Sequence, residues 1–100
     1  MKGLTERDSL PQDSGMLFVM PTNTKWTFWA KGLKFDVDII FLNNYGKIVD
    51  IQTMRVQPGV VDTDLALYTS HVEAQYVIQI NAGRAAESSL ANGMTVEFSQ

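Results

Sequence analysis

A chain of 100 residues is long enough to close one modest core and too short to divide into two, so it reads as a single domain over 1–100. Its 45% hydrophobic and 19% charged residues suit a folded globular protein, and a net charge of -3 supplies no broad positive field, which argues against nucleic acid and acidic membranes as partners. With no cysteine and one histidine, disulfides, thiolate nucleophiles, Cys-ligated zinc and a His-rich zinc centre are all excluded.

The first fifteen residues contain no apolar signal-type core, and no run approaches the roughly 18 apolar residues that a membrane span needs. The chain therefore reads as soluble, and cytoplasmic by default. Helix formers over 3–9 stop before Pro11, which predicts one short helical turn. MLFVM (16–20) reads as a brief buried strand ending at Pro21, followed by a polar turn over 22–24. The segment 26–29 is aromatic and extended until Gly32 breaks it. Alternation puts Trp26 and Phe28 on one face and Trp29 on the other.

VDIIFL (37–42) and KIVDIQTM (47–54) are two apolar runs joined by a connection containing Asn43, Asn44 and Gly46, the signature of a β-hairpin. In the first strand Val37, Ile39 and Phe41 share one face and Asp38, Ile40 and Leu42 the other. In the second, Val49, Ile51 and Thr53 oppose Ile48, Asp50 and Gln52. Pro58-Gly59 opens an irregular stretch with a short turn over 62–66. AQYVIQI (74–80) returns as a strand with Tyr76, Ile78 and Ile80 on one face and Val77 and Gln79 on the other. An alanine-rich run after Gly83 predicts two helical turns stopped by Asn92-Gly93, and TVEF (95–98) closes the chain as a strand carrying Val96 and Phe98 on one side. The sum is mainly β: a small antiparallel β-barrel or sandwich of five or six short strands with one or two short helices.

Asp36 and Asp38 stand two apart on one side of an extended chain, close enough to share a cation or a proton. The plainer reading has Asp36 in solvent and Asp38 accepting backbone hydrogen bonds or pairing with Lys31 or Lys34. Asp62 and Asp64 repeat the spacing in a loop, without the pattern of an EF-hand. His71 beside Ser70 is not a nucleophile and base, because adjacent side chains of an extended chain point apart; it reads as a surface histidine. An aromatic beside a cleft can stack a sugar, a base or a peptide, although Trp also closes small cores. The cluster that best combines these features is Trp29, Lys31 and Asp38, a candidate ligand site. No catalytic set, metal set or cofactor motif is present.

A family likeness runs through Gly3, Leu4 and Arg7; GMLFV at 15–19; Phe28, Trp29 and Lys31; DIIFL at 38–42; GKIV at 46–49; Tyr68 with Ser70; Tyr76, Val77, Ile80, Ala82 and Gly83; and Gly93. In this order and spacing the chain resembles domain-of-unknown-function family 192, over nearly its whole length. The resemblance implies a compact, mostly β domain of bacteria and archaea, often carried behind a signal or anchor, with no established biochemical role. Against the family's Phe-Trp-Met-Lys-Asn-Thr, this chain has Ala30, Gly32 and Leu33. Asp36 replaces a proline, Gln79 a glutamate and Met94 an aspartate. The family's usual first strand and anchor have no counterpart before Gly3, so the chain reads as a divergent, leaderless copy of bacterial or phage origin.

The leading expectation is a small noncatalytic binding or interaction domain for a small ligand or a protein, with Trp29, Lys31 and Asp38 at the site. One rival is a small hydrolase-like enzyme acting on a saccharide or envelope polymer, with Asp38 as acid or base and Lys31 as its electrostatic partner. The other is an assembly protein that pairs through an open strand edge.

Overall fold

The computed structural model describes residues 15–96. The helical turn expected over 3–9, the motif residues Gly3, Leu4 and Arg7, and Phe98 lie outside the described residues. Six strands form two antiparallel sheets: β1 (Gly15–Thr24), β2 (Thr27–Trp29), β3 (Val37–Leu42), β4 (Ile48–Met54), β5 (Leu67–Thr69) and β6 (Ala74–Asn81). The larger sheet has the order β1-β6-β3-β4 and the smaller pairs β2 with β5. The two are stacked as a sandwich and do not close into a barrel.

Strand β3 is buried along its whole length because both of its faces are apolar. Val37, Ile39 and Phe41 enter the core between the sheets, with Met20, Phe28, Leu33, Met54 and Val77. The ring of Phe28 lies 6.0 Å from that of Phe41 and 6.2 Å from that of Phe18. Ile40 and Leu42 face the other way, into a second cluster with Ile48, Ala85, Ile51, Ile78 and Leu90. Period-two alternation therefore assigns β3 and β6 correctly, with Tyr76, Ile78 and Ile80 on the second cluster and Val77 on the first.

The expected hairpin joins β3 to β4. The Asn43 side chain accepts hydrogen bonds from the Tyr45 and Lys47 amides at 2.9 and 3.1 Å, and Gly46 takes a φ of 79°. One feature departs from alternation. Phe41 pairs with Asp50 but Leu42 pairs with Ile48, so Val49 is an extra residue, a β-bulge. It turns Ile48 onto the face of Ile51 and sends Val49 to the core between the sheets, the reverse of the regular pattern.

β1 runs through Pro21, where the strand was expected to end, and it is half-buried rather than buried. Both departures follow from its place as the outer strand of the sheet. The pairing with β6 is regular from Gly15 to Val19 and then shifts before Thr24, so Pro21, which has no N–H, falls in the irregular part. Met16, Phe18 and Met20 point to the core while Leu17 and Val19 are exposed.

The helix after Gly83 is shorter than expected: α1 (Arg84–Glu87) is a single turn. It ends in a Schellman motif, in which Leu90 N–H donates to the Ala85 carbonyl at 2.9 Å and Ser89 N–H to that of Ala86 at 3.0 Å. Ser89 supplies the left-handed residue, with φ 57°, so the chain turns before Asn92-Gly93 is reached. Leu90 and Ala85 then meet in the second cluster. The closing strand is reduced, among the described residues, to a bridge between Lys47 and Thr95. Asp62–Asp64 is a 3-10 turn, where a short turn was expected. No helix among the described residues is long and apolar enough to cross a membrane.

A serine held left-handed costs about 1 kcal/mol, part of which a glycine returns as extra unfolded-state freedom. Ser89→Gly should therefore stabilise the protein by about 0.5 kcal/mol, a rise of roughly 2–4 °C in Tm. Ser89→Val should lower Tm, since a β-branched residue resists that conformation. Thermal melts of the three proteins check the order Gly, Ser, Val.

Candidate functional site

On the face of the large sheet that looks away from β2 and β5, strands β3 and β4 present three cross-strand pairs in succession. Ile40 lies opposite Ile51 and Asp38 opposite Thr53. Just beyond the strands, Asp36 Oδ2 meets Arg55 Nη1 at 3.2 Å. The ladder thus runs from an apolar pair through a hydrogen bond to an ion pair, because side chains two apart share a face.

Asp38 is 3% exposed and every protein contact it makes is structural. Its Oδ1 accepts from Thr53 Oγ1 at 2.7 Å, and its Oδ2 accepts from the Gly83 and Ala85 amides at 3.0 and 3.1 Å. Gly83, with φ 91°, precedes α1 and has no side chain to cap it. A carboxylate from a strand far away in sequence takes that task, satisfying N–H groups that the first turn of a helix leaves open. Charge-assisted bonds of this kind offset the cost of removing a carboxylate from water. Asp36 is engaged likewise: Oδ1 accepts from the Val56 amide at 2.8 Å while Oδ2 holds Arg55. Each carboxylate of the Asp36/Asp38 pair thus has its own partners.

Between this ladder and the segment from Ala82 to Leu90 lies a groove of about 570 Å³. Ile51, Ala85, Ala86 and Leu90 make its apolar wall, and Thr53, Asp38 and Arg55 its polar side. The volume is within the range of small-molecule sites. Arg55 and Thr53 belong to no motif that marks them in the sequence. The signal was there, since the alternation that places Ile51 and Thr53 on one face continues to Arg55.

Trp29 and Lys31 are brought together elsewhere. Trp29 is 44% exposed, and the Lys31 ammonium stands 5.3 Å from its ring centroid. Lys31 also pairs with Asp62 at 3.3 Å. Phe28 points into the core, so its neighbour Trp29 points outward from the small sheet, opposite Leu67. Asp38 faces the groove on the far side of the large sheet. The three residues therefore do not share one pocket: Trp29 and Lys31 form one cluster and Asp38 belongs to another. Trp26 lies against the core, and its indole N–H donates to the carbonyls of Ala74 at 3.0 Å and Thr22 at 3.2 Å.

His71 is exposed, as read, and its Nδ1 contacts Asp50 Oδ2 at 2.8 Å. The buried Asp50 also accepts from the His71 amide at 2.9 Å and from Gln52 Nε2 at 2.8 Å, which fastens the turn after β5 to β4. Ser70 is buried and accepts from the Trp26 amide at 3.3 Å. No group of three His, Cys, Asp or Glu among the described residues is arranged to hold a metal ion.

The model of the family DUF192, described as "Uncharacterized ACR", matches residues 1–98. The chain belongs to DUF192. Among solved structures, a protein of unknown function from Novosphingobium aromaticivorans DSM 12444 superposes on this DUF192 chain with a TM-score of 0.80 at 28% identity, covering 97% of this chain and 66% of that one. A protein from Sinorhizobium meliloti 1021, described as a candidate transcription regulator, gives a TM-score of 0.81 at 26% identity over 96% of this chain and 70% of its own. The DUF192 chain thus spans about two thirds of the length of these relatives. Among curated proteins none matches.

Removing the Asp38 carboxylate leaves the buried Ala85 amide, and with it the Gly83 amide and the Thr53 hydroxyl, without this acceptor, so Asp38→Ala should cost about 2–4 kcal/mol. Asp38→Asn keeps one acceptor oxygen and should cost less, about 1–2 kcal/mol. Urea unfolding at neutral pH, with amide exchange at Gly83 and Ala85, checks both the size and the place of the loss.

Proposed function

We propose that this DUF192 chain is a noncatalytic binding domain, acting as one unit over 1–100, that seats a small ligand in the groove beside Asp38. The observation that carries the reading is the condition of the Asp38 carboxylate. Both of its oxygens are occupied by donors of the fold, at 2.7, 3.0 and 3.1 Å. A group so fixed serves as a wall and an anchor; a general acid or base needs an oxygen within reach of a substrate proton. The hydrolase reading loses its acid/base residue on the same ground.

The groove has the composition of a recognition site, with an apolar wall and few polar groups converging on it. A net charge of -3 argues against a partner held through phosphate neutralisation. The description of the Sinorhizobium protein is a statement about that longer chain. Trp29 and Lys31 remain in the proposal as a separate contact: an exposed indole under an ammonium group suits stacking against a flat partner.

Amide chemical-shift mapping against small carboxylates, saccharides and short peptides tests the placement. The expected result is a set of shifts at Thr53, Gly83, Ala85, Ala86 and Leu90, with the ligand recovered unchanged. Shifts confined to Trp29, Lys31 and Leu67 would move the site to the small sheet, and turnover of a ligand would overturn the noncatalytic reading.

A further inference from the structure

We propose that the groove takes an aliphatic carboxylate, with its acid group on Arg55 and its hydrocarbon along Ile51, Ala86 and Leu90; this inference rests on the groove being the ligand seat. The argument begins with charge. Asp38 and Arg55 are the charged residues of the lining, and Asp38 is buried with its oxygens turned to Thr53, Gly83 and Ala85. The Arg55 side chain is 69% exposed, so the charge that the groove offers to a ligand is cationic.

The geometry of Arg55 fits an acid. Asp36 engages Nη1 at 3.2 Å and is itself fixed by the Val56 amide at 2.8 Å, so the guanidinium is steered by an anchored carboxylate. A guanidinium carries five N–H donors in a planar fork, and one contact leaves an edge that matches a carboxylate with two parallel hydrogen bonds. A phosphate is a poorer match, because the lining contains a single cationic residue and no lysine. Thr53 commits its hydroxyl proton to Asp38, so at mid-groove it offers lone pairs only, to a ligand hydroxyl or to water.

The length of the site follows from the strand. Ile51, Thr53 and Arg55 are spaced by two residues on one face, so the apolar end lies about 13 Å along the chain from the cationic end. Ala82, Ala85 and Ala86 line the groove with small side chains, and Leu90, placed by the Schellman turn, joins Ile51 at the second apolar cluster. A small hydrophobic acid satisfies both ends at once. Formate meets the cationic end alone, and a bare sugar carries neither the acid nor the hydrocarbon.

The test compares hexanoate, hexanol, hexylamine and inorganic phosphate by chemical-shift titration, with wild-type protein and with Arg55→Gln, whose amide spectrum first verifies the fold. The expected result is saturable shifts at Thr53, Ala85, Ala86 and Leu90 with hexanoate, weakened roughly tenfold or more by Arg55→Gln. Equal binding of hexanol, unaffected by Arg55→Gln, would overturn the acid and leave the groove as a site. Tighter binding of phosphate or hexylamine at the same amides would likewise overturn it. Failure of all four probes to shift these amides would overturn the acid, and if the carboxylates, saccharides and peptides of the broader survey also leave them unmoved, the groove reading falls too.

Discussion

The arrangement depends most on one buried carboxylate. Asp38 joins three parts of the chain that are remote in sequence: its own strand β3, Thr53 on β4, and the turn that starts α1. A one-turn helix has too few internal hydrogen bonds to stand by itself. Its position is set by an acceptor supplied from the sheet and by Ala85 and Leu90 against the second apolar cluster. Asp50 repeats the device on the opposite face, where it secures the turn after β5. The two faces of β3 and β4 are thus each tied to the connection that covers them.

That economy shapes the groove. The Asp38 anchor fixes the wall from Ala82 to Leu90, and the ladder of pairs on β3 and β4 supplies the floor. Residues that hold the frame and residues that face the open space are neighbours but distinct. Asp38 is consumed by the fold, whereas Arg55 is oriented by Asp36 and otherwise presented outward. A short polar residue beside an apolar strand therefore need not be a reactive group. Its hydrogen-bond partners decide, and they come from a segment more than forty positions away in the chain.

The parts legible in sequence were those governed by local rules. Alternation assigned the faces of β3 and β6, and Asn43 with Gly46 located the hairpin. The order of motifs pointed to the family that the match over 1–98 establishes. Local rules failed where tertiary contacts or an irregular backbone intervened. The bulge at Val49 has no glycine or proline to mark it, and the left-handed Ser89 ends a helix that composition would prolong. Trp29, Lys31 and Asp38 are near one another in sequence, yet an outward turn in β2 and the inward alternation of β3 send them to opposite sides of the large sheet. Asp50, between a valine and an isoleucine, carried a signal as good as that of Asp38.

Pro21 has a wider meaning for how this chain behaves among copies of itself. β1 is one of the two outer strands of the large sheet, and a straight outer strand is a template on which a neighbour's backbone can zip. Pro21 has no N–H to give a ladder, and the register of β1 shifts around it, between Val19 and Thr24. Leu17 and Val19, in the regular part of the strand before that shift, are exposed. The imperfection in β1 thus interrupts the regular ladder that strand addition along this edge would need.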